Sequence, residues 1–295
     1  MFSSQSRVMS YGILLFTLCV WTSFILISRL GGKSELTPWD ITALRFGTAA
    51  LVLLPVVVVR GVKHYFTLRF LTLAMLGGLG YAGLAYAGFE RAPASHGAVL
   101  LSGILPFWTA VATYLVLGER MTRDRWITLT FIAAGIGSMA WGEMHHEAGK
   151  LGWGEVCFIA ASCCWGFYGA LLKRWQTPPL EATMGVALLS ALVFMPVYAA
   201  FLPSGLDAAS WPTIITQSLF QGILVVIVAM LSFIEAQRRL GPFTTGAFLA
   251  LAPVLGATLA VPLLGEPLTL SVMLGLAGVS IGATQPWKWR MSRQP

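Results

Sequence analysis

Few side chains in this sequence can do chemistry from inside its long apolar runs. An ionisable group there costs about 2.5–3.5 kcal/mol if the run lies in lipid, so each such group needs a physical reason. Arg45 lies one helical turn inside the run 41–59. Two readings stand: it reaches an interface or pairs with Asp40 or Glu35, or it contacts an anionic group such as a carboxylate. Glu235 closes the run 213–234 and lies 18 residues from Gln217 and 14 from Gln221, so a straight α-helix would place all three on one polar stripe. It reads either as a gate or proton site, or as a partner of Arg238 or Arg239. His96, near Glu90 and Arg91, is a pH-sensitive imidazole or a hydrogen-bonded structural one. Trp21, Tyr81, Tyr86, Ser102, Trp108, Trp165 and Tyr168 supply indoles and hydroxyls at mid-run positions, suited to an amphipathic or aromatic small molecule, or else to simple packing.

Two patterns that resemble catalytic motifs fail on context. Gly278-Val279-Ser280-Ile281-Gly282 fits the nucleophile-elbow spacing, but no His or Asp follows it, and it lies inside an apolar run rather than at a strand-to-helix turn. It reads better as a packing face built on Gly278 and Gly282. Glu143, His145, His146 and Glu147 sit in a short loop where metal binding would be adventitious. No enzyme activity, metal or cofactor is expected, a membrane enzyme or a non-transporting receptor standing only as a remote alternative.

The elements that must position these residues are membrane helices. Of 295 residues 57% are hydrophobic and only 11% charged, and the mean hydropathy is +0.76. A soluble domain carries roughly 25% charged residues, so a soluble enzyme and a nucleic-acid binder are excluded. Crossing a bilayer takes about 20 apolar residues, and ten runs meet that length: 8–27, 41–59, 70–89, 97–117, 126–142, 156–172, 182–202, 213–234, 243–264 and 268–284. They are continuous rather than alternating, which argues against a barrel. The first is not a cleavable signal, since it is as long as the others and lacks a small-x-small site. The four cysteines lie in or beside these runs and read as small hydrophobes.

Charge orients the runs. With the N-terminus inside, the inner segments hold Arg7, Arg60, Lys63, Arg69, Arg120, Arg123, Arg125, Lys173, Arg174, Arg238, Arg239, Lys288, Arg290 and Arg293, fourteen in all. The outer segments hold four: Arg29, Lys33, Arg91 and Lys150. The positive-inside bias places both termini in the cytoplasm and the chain in the cytoplasmic membrane.

The chain also repeats itself. Pro106 precedes Glu119 by 13 residues, and Pro253 precedes Glu266 by 13, each glutamate closing a Leu-Gly-Glu triplet. Gly135 and Gly282 each follow by 16, while Trp21 and Trp165 each precede a basic residue by eight. These pairs lie 144 or 147 residues apart, an interval of five runs, so the second copy is inverted relative to the first. Repeats over 8–142 and 152–284, with a basic tail at 285–295, follow. Pro106 and Pro253 fall mid-run at matched positions, where proline breaks the helical ladder, and they are the hinge candidates. The glycines of 77–83 permit close helix packing.

On these residues the chain resembles a known family. Leu117-Gly118-Glu119-Arg120-Met121-Thr122, with Leu264-Gly265-Glu266-Pro267-Leu268-Thr269, is similar to the repeat ends of the EamA family in the drug/metabolite transporter superfamily. So are Phe89-Glu90-Arg91-Ala92-Pro93-Ala94-Ser95 and Ala236-Gln237-Arg238-Arg239-Leu240-Gly241-Pro242. The resemblance implies a secondary transporter of ten helices in two inverted five-helix repeats. It implies export of amino acids or related metabolites, with drug efflux or sugar and nucleotide-sugar transport as alternatives. The implied partners are a small-molecule substrate and the bilayer. No Walker motif is present. The lack of a mid-run carboxylate leaves facilitated diffusion or exchange open beside proton coupling.

Overall fold

A computed structural model describes residues 4–31, 35–92, 94–144, 152–252, 254–255 and 270–285. Pro253, Glu266, Lys33, Trp287 and the residues 145–151 lie outside these, as do the side chains of Arg29 and Glu143, so the loop carboxylates and histidines and the second hinge candidate are not described. Among the described residues the chain is helical, without strands.

The helices are α1 (Ser4–Gly31), α2 (Pro38–Arg60), α3 (Leu68–Arg91), α4 (Val99–Leu117), α5 (Arg123–Met144), α6 (Trp153–Arg174), α7 (Pro179–Phe201), α8 (Trp211–Leu240), α9 (Pro242–Leu249) and α10 (Leu270–Thr284). A short turn of helix, Ala94–Gly97, leads into α4. Six of them, α2, α3, α4, α6, α7 and α8, are long and apolar enough to cross a membrane. Val8–Ser23 within α1 and Met273–Thr284 within α10 are shorter apolar stretches.

Local chemistry sets the starts and breaks. Thr37 caps α2 by accepting from the Asp40 amide, Asp40 returns the bond to the Thr37 amide, and Pro38 occupies a first-turn position where no N–H is needed. Thr67 and Ser210 cap α3 and α8 more simply, their hydroxyls accepting from the Phe70 and Thr213 amides. Both of these helices then widen into π-helix, over Met75–Gly80 in α3 and Ser218–Ala229 in α8. The two caps and the two π-helical starts are each 143 residues apart. Likewise Pro38 and Pro179 open α2 and α7, and Pro55 and Pro196 interrupt them, each pair 141 residues apart. The repeat written in the sequence is therefore a repeat of irregularities as well as of helices.

Most of the packing follows the same symmetry, the α4–α6 contact excepted. The main contacts are α5 with α10, α6 with α3 and α4, α2 with α7 and α8, α3 with α7, α1 with α8, and α4 with α9. Exchanging each helix for the one five places away turns α3–α6 into α8–α1 and α2–α8 into α7–α3. The pairs α2–α7, α4–α9 and α5–α10 map onto themselves. Glycine makes the closest of these approaches. A Cβ on Gly135 would lie 2.7 Å from the Gly275 carbonyl and the Val279 amide, and one on Gly278 would lie 3.0 Å from the Gly135 Cα. The Gly278/Gly282 pattern is thus a packing face. Gly77 and Gly78 similarly admit the Tyr168 ring and Ser190. The principal core joins α1, α2, α3, α6, α7 and α8, around Phe46, Leu73, Tyr168, Met184, Val226 and Phe233.

The helix break at Pro106 has a visible cause. The chain runs through a π-helical turn at Ala98–Gly103 and restarts as α-helix at Leu105–Leu117, with Pro106 in its first turn. In a continued π-helix the Leu101 carbonyl would bond the amide five residues on, which is Pro106 and has no hydrogen. The Ser162 hydroxyl of α6 donates to that carbonyl instead, at 2.9 Å.

Candidate functional site

At the centre of the principal core Trp21 of α1 meets Trp165 of α6 edge to face, with centroids 5.1 Å apart. These two tryptophans are counterparts in the repeat, so the chain's two halves touch here through equivalent residues. Tyr81, Tyr168 and Phe233 complete the cluster, with ring centroids 4.6, 5.1 and 5.3 Å from Trp165. Edge-to-face and tilted contacts of this kind suit the ring quadrupoles. A cavity of about 20 Å³ opens between Trp21, Arg45, Tyr81, Trp165 and Val225, room for one water and no more. The Trp165 indole N–H and the Tyr168 hydroxyl are buried without a hydrogen-bond partner among the described residues. A larger depression of about 590 Å³ runs beside Arg123, Trp126, Ile127, Thr130 and Phe131. Its described walls all belong to α5, which makes it a groove on one helix rather than a site.

Arg45 is buried, with 3% of its surface exposed. It neither reaches an interface nor pairs with Asp40. Its guanidinium donates to the Tyr86 hydroxyl at 3.5 Å; that hydroxyl donates to the Gln221 side-chain carbonyl at 3.3 Å, and the Gln221 amide donates to Gln217 at 3.4 Å. This chain of polar groups crosses from α2 and α3 of one repeat to α8 of the other.

Asp40 has other work. It is fully buried and accepts from the amides of Thr37 (2.7 Å) and Gly205 (2.9 Å) and from the hydroxyls of Thr37 (2.9 Å), Ser204 (2.8 Å) and Tyr198. That clamp ties the start of α2 to the end of α7. Nothing in the run lengths marked Tyr198 or Ser204, although Thr37-Pro38-Trp39-Asp40 is a readable capping box.

The polar stripe expected on α8 is broken. Gln217 and Gln221 are buried and hydrogen-bonded together, but Glu235 pairs with Arg238 (3.0 Å) and Arg239 (2.5 Å) of its own helix. The 18-residue spacing presupposed 3.6 residues per turn throughout, and the π-helical stretch between them changes that advance. His96 is also hydrogen-bonded, to a partner other than its sequence neighbours: its Nδ1 lies 2.7 Å from Glu155 on α6, while Arg91 pairs with Glu90. Ser102 sits half-buried in the π-helical turn of α4, and Trp108 is half-buried with its backbone against Gly166. Neither lines the cavity.

At the basic end of the bundle Gly118 takes a left-handed conformation (φ 68°) and closes α4. The next residue, Glu119, turns back toward α5 and α6, accepting from Arg125 and from Lys173 at 2.5 Å. Partial burial raises its carboxyl pKa, but hydrogen bonds and charge from Arg125 and Lys173 outweigh that and hold it below the usual range. Arg174 donates to the Val116 carbonyl at 2.9 Å, and Arg69 to Thr177 at 2.6 Å. The Leu-Gly-Glu triplet is therefore a helix stop that delivers a carboxylate to the other repeat. The cavity thus lies between two sets of cross-repeat links.

Comparison with known proteins agrees with this architecture. The model of the EamA-like transporter family matches twice, at residues 9–141 and 152–284. The uncharacterized transporter YyaM of Bacillus subtilis (strain 168) is 23% identical over 267 residues, covering 83% of each chain. A solved crystal structure aligns with 97% of this chain and 99% of its own at a TM-score of 0.69 and 20% identity, so the fold is shared. Two matched repeats spanning nearly the whole chain make it a member of the EamA-like transporter family, within the drug/metabolite transporter superfamily.

Proposed function

We propose that the chain is a secondary transporter that exports small metabolites, amino acids or related compounds foremost, across the cytoplasmic membrane by alternating access. Ten membrane spans form two inverted five-helix repeats in this reading, with both termini in the cytoplasm beside the basic end. The observation that carries it is the small cavity between Trp21 and Trp165, counterpart residues on opposite sides of the repeat interface. A cavity of about 20 Å³ admits no organic solute, so loading requires the repeats to part at one end or the other. Glu235 acts as a fixed partner of Arg238 and Arg239, which favours facilitated diffusion or exchange over a proton relay through that carboxylate.

Proteoliposomes loaded with amino acids, nucleosides, sugars and aromatic metabolites test this, with mass spectrometry following what leaves with and without a pH gradient. Selective loss of one unmodified class is expected. Retention of every solute by folded protein would reject transport. In cells, a cysteine replacing Arg120 in a cysteine-free background should react only with reagents that enter the cytoplasm.

A further inference from the structure

The cavity wall carries a buried cation among aromatic faces, and that combination specifies more than a small solute. Arg45 lines the cavity together with Trp21, Tyr81 and Trp165. A guanidinium is a planar fork of five N–H donors, a shape that matches a carboxylate through two parallel bonds. Its link to Tyr86, and onward through Gln221 to Gln217, anchors that fork from behind by neutral groups. The Trp165 indole N–H, buried and without a described acceptor, is a further donor on the same wall residue. The rings of Trp21, Tyr81 and Trp165, with neighbouring centroids 4.6–5.1 Å apart, offer flat apolar faces for a planar body.

We propose that this site recognises its substrate by a carboxylate held on Arg45, with a planar apolar body between the aromatic rings, and that an ammonium group is dispensable. This rests on the transport reading above and narrows it. The transported class is then small aromatic or amphipathic carboxylates, whether or not they carry an amine. The rival chemistry is an ammonium held on the π faces, and the same experiment distinguishes the two.

Four ligands sharing one ring separate the alternatives: 3-phenylpropionate, phenylalanine, phenylalaninamide and 2-phenylethylamine. Their binding to the purified full chain is read by quenching of tryptophan fluorescence, and their efflux is read from proteoliposomes. The two carboxylates are expected to bind within about three-fold of each other and the amide and amine at least about ten-fold more weakly. Arg45→Gln should weaken the carboxylates about ten-fold or more and remove the discrimination, with Arg45→Lys intermediate. Should Arg45→Gln fail to fold, the four-ligand series on the unmodified chain decides, together with Tyr86→Phe, which removes the hydroxyl that accepts from the guanidinium and should weaken only the carboxylates. Amine or amide binding as tight as carboxylate binding overturns the proposal, as does unchanged carboxylate affinity in Arg45→Gln. Flux of neutral or cationic solutes that is indifferent to Arg45 overturns it while leaving transport standing. The expected binding series without any flux keeps the carboxylate site and rejects transport.

Discussion

At the scale of single residues the molecule separates charges that hold it shut from the one that faces its cavity. Glu119 belongs to the first kind. Because its carboxyl pKa is lowered in the folded chain, the stabilisation it gives is complete above the ordinary value of 4.5 and is lost as pH falls through the lowered one. Glu119→Gln should therefore reduce stability by about 1 kcal/mol at pH 7, in line with a partly exposed charge network. The gap between variant and parent should close as the pH is taken below about 4. Thermal unfolding in detergent across that range is the check, and a gap that widens toward acid would contradict the assignment. Arg45 belongs to the second kind. Its position within an apolar run was legible from sequence, but its partner was not. Asp40 lay nearest in the chain, and only the fold shows that its oxygens are occupied by Thr37, Tyr198, Ser204 and Gly205.

At the scale of helices, hydrophobic run length located the elements, and matched prolines and glycines located the repeat. What it could not locate was the π-helical stretches of α3, α4 and α8, since widening a turn by one residue leaves composition unchanged. That is why the 18-residue spacing from Gln217 to Glu235 does not measure a whole number of turns. Pro106 is the exception, a residue whose effect on the ladder could be read directly. Pro106→Ala restores an amide that competes with Ser162 for the Leu101 carbonyl, straightening α4 and loosening it from α6. If the break is a hinge, transport should slow several-fold while equilibrium binding of substrate stays close to that of the parent. Stopped-flow efflux alongside a binding isotherm would show it, and unchanged rates would make the break a static kink.

At the scale of the whole molecule, the near-symmetry of the packing is not matched by symmetry of its fastenings. Asp40 is fully buried and holds five donors at one end of the α2–α7 pair. Its counterpart 141 residues on, Glu181, sits at the opposite end and pairs with a half-exposed His64 at 3.4 Å. That end has further fastenings in Glu119 with Arg125 and Lys173, Arg174 with the Val116 carbonyl and Arg69 with Thr177, so the two ends are closed by different chemistry. Under the proposed alternating access, ends fastened so differently leave the two open forms unequally populated at rest, and a solute then meets different proportions of ready carriers on the two sides of the membrane. For passive transport thermodynamics forbids that inequality from pumping anything. It must instead appear as different half-saturating concentrations for entry and exit, offset by maximal rates that differ in the same ratio. Asp40→Asn, by weakening the fastening at one end alone, should change the ratio of those two concentrations. Identical saturation curves from both faces of the unmodified protein would mean that the two ends open at equal cost.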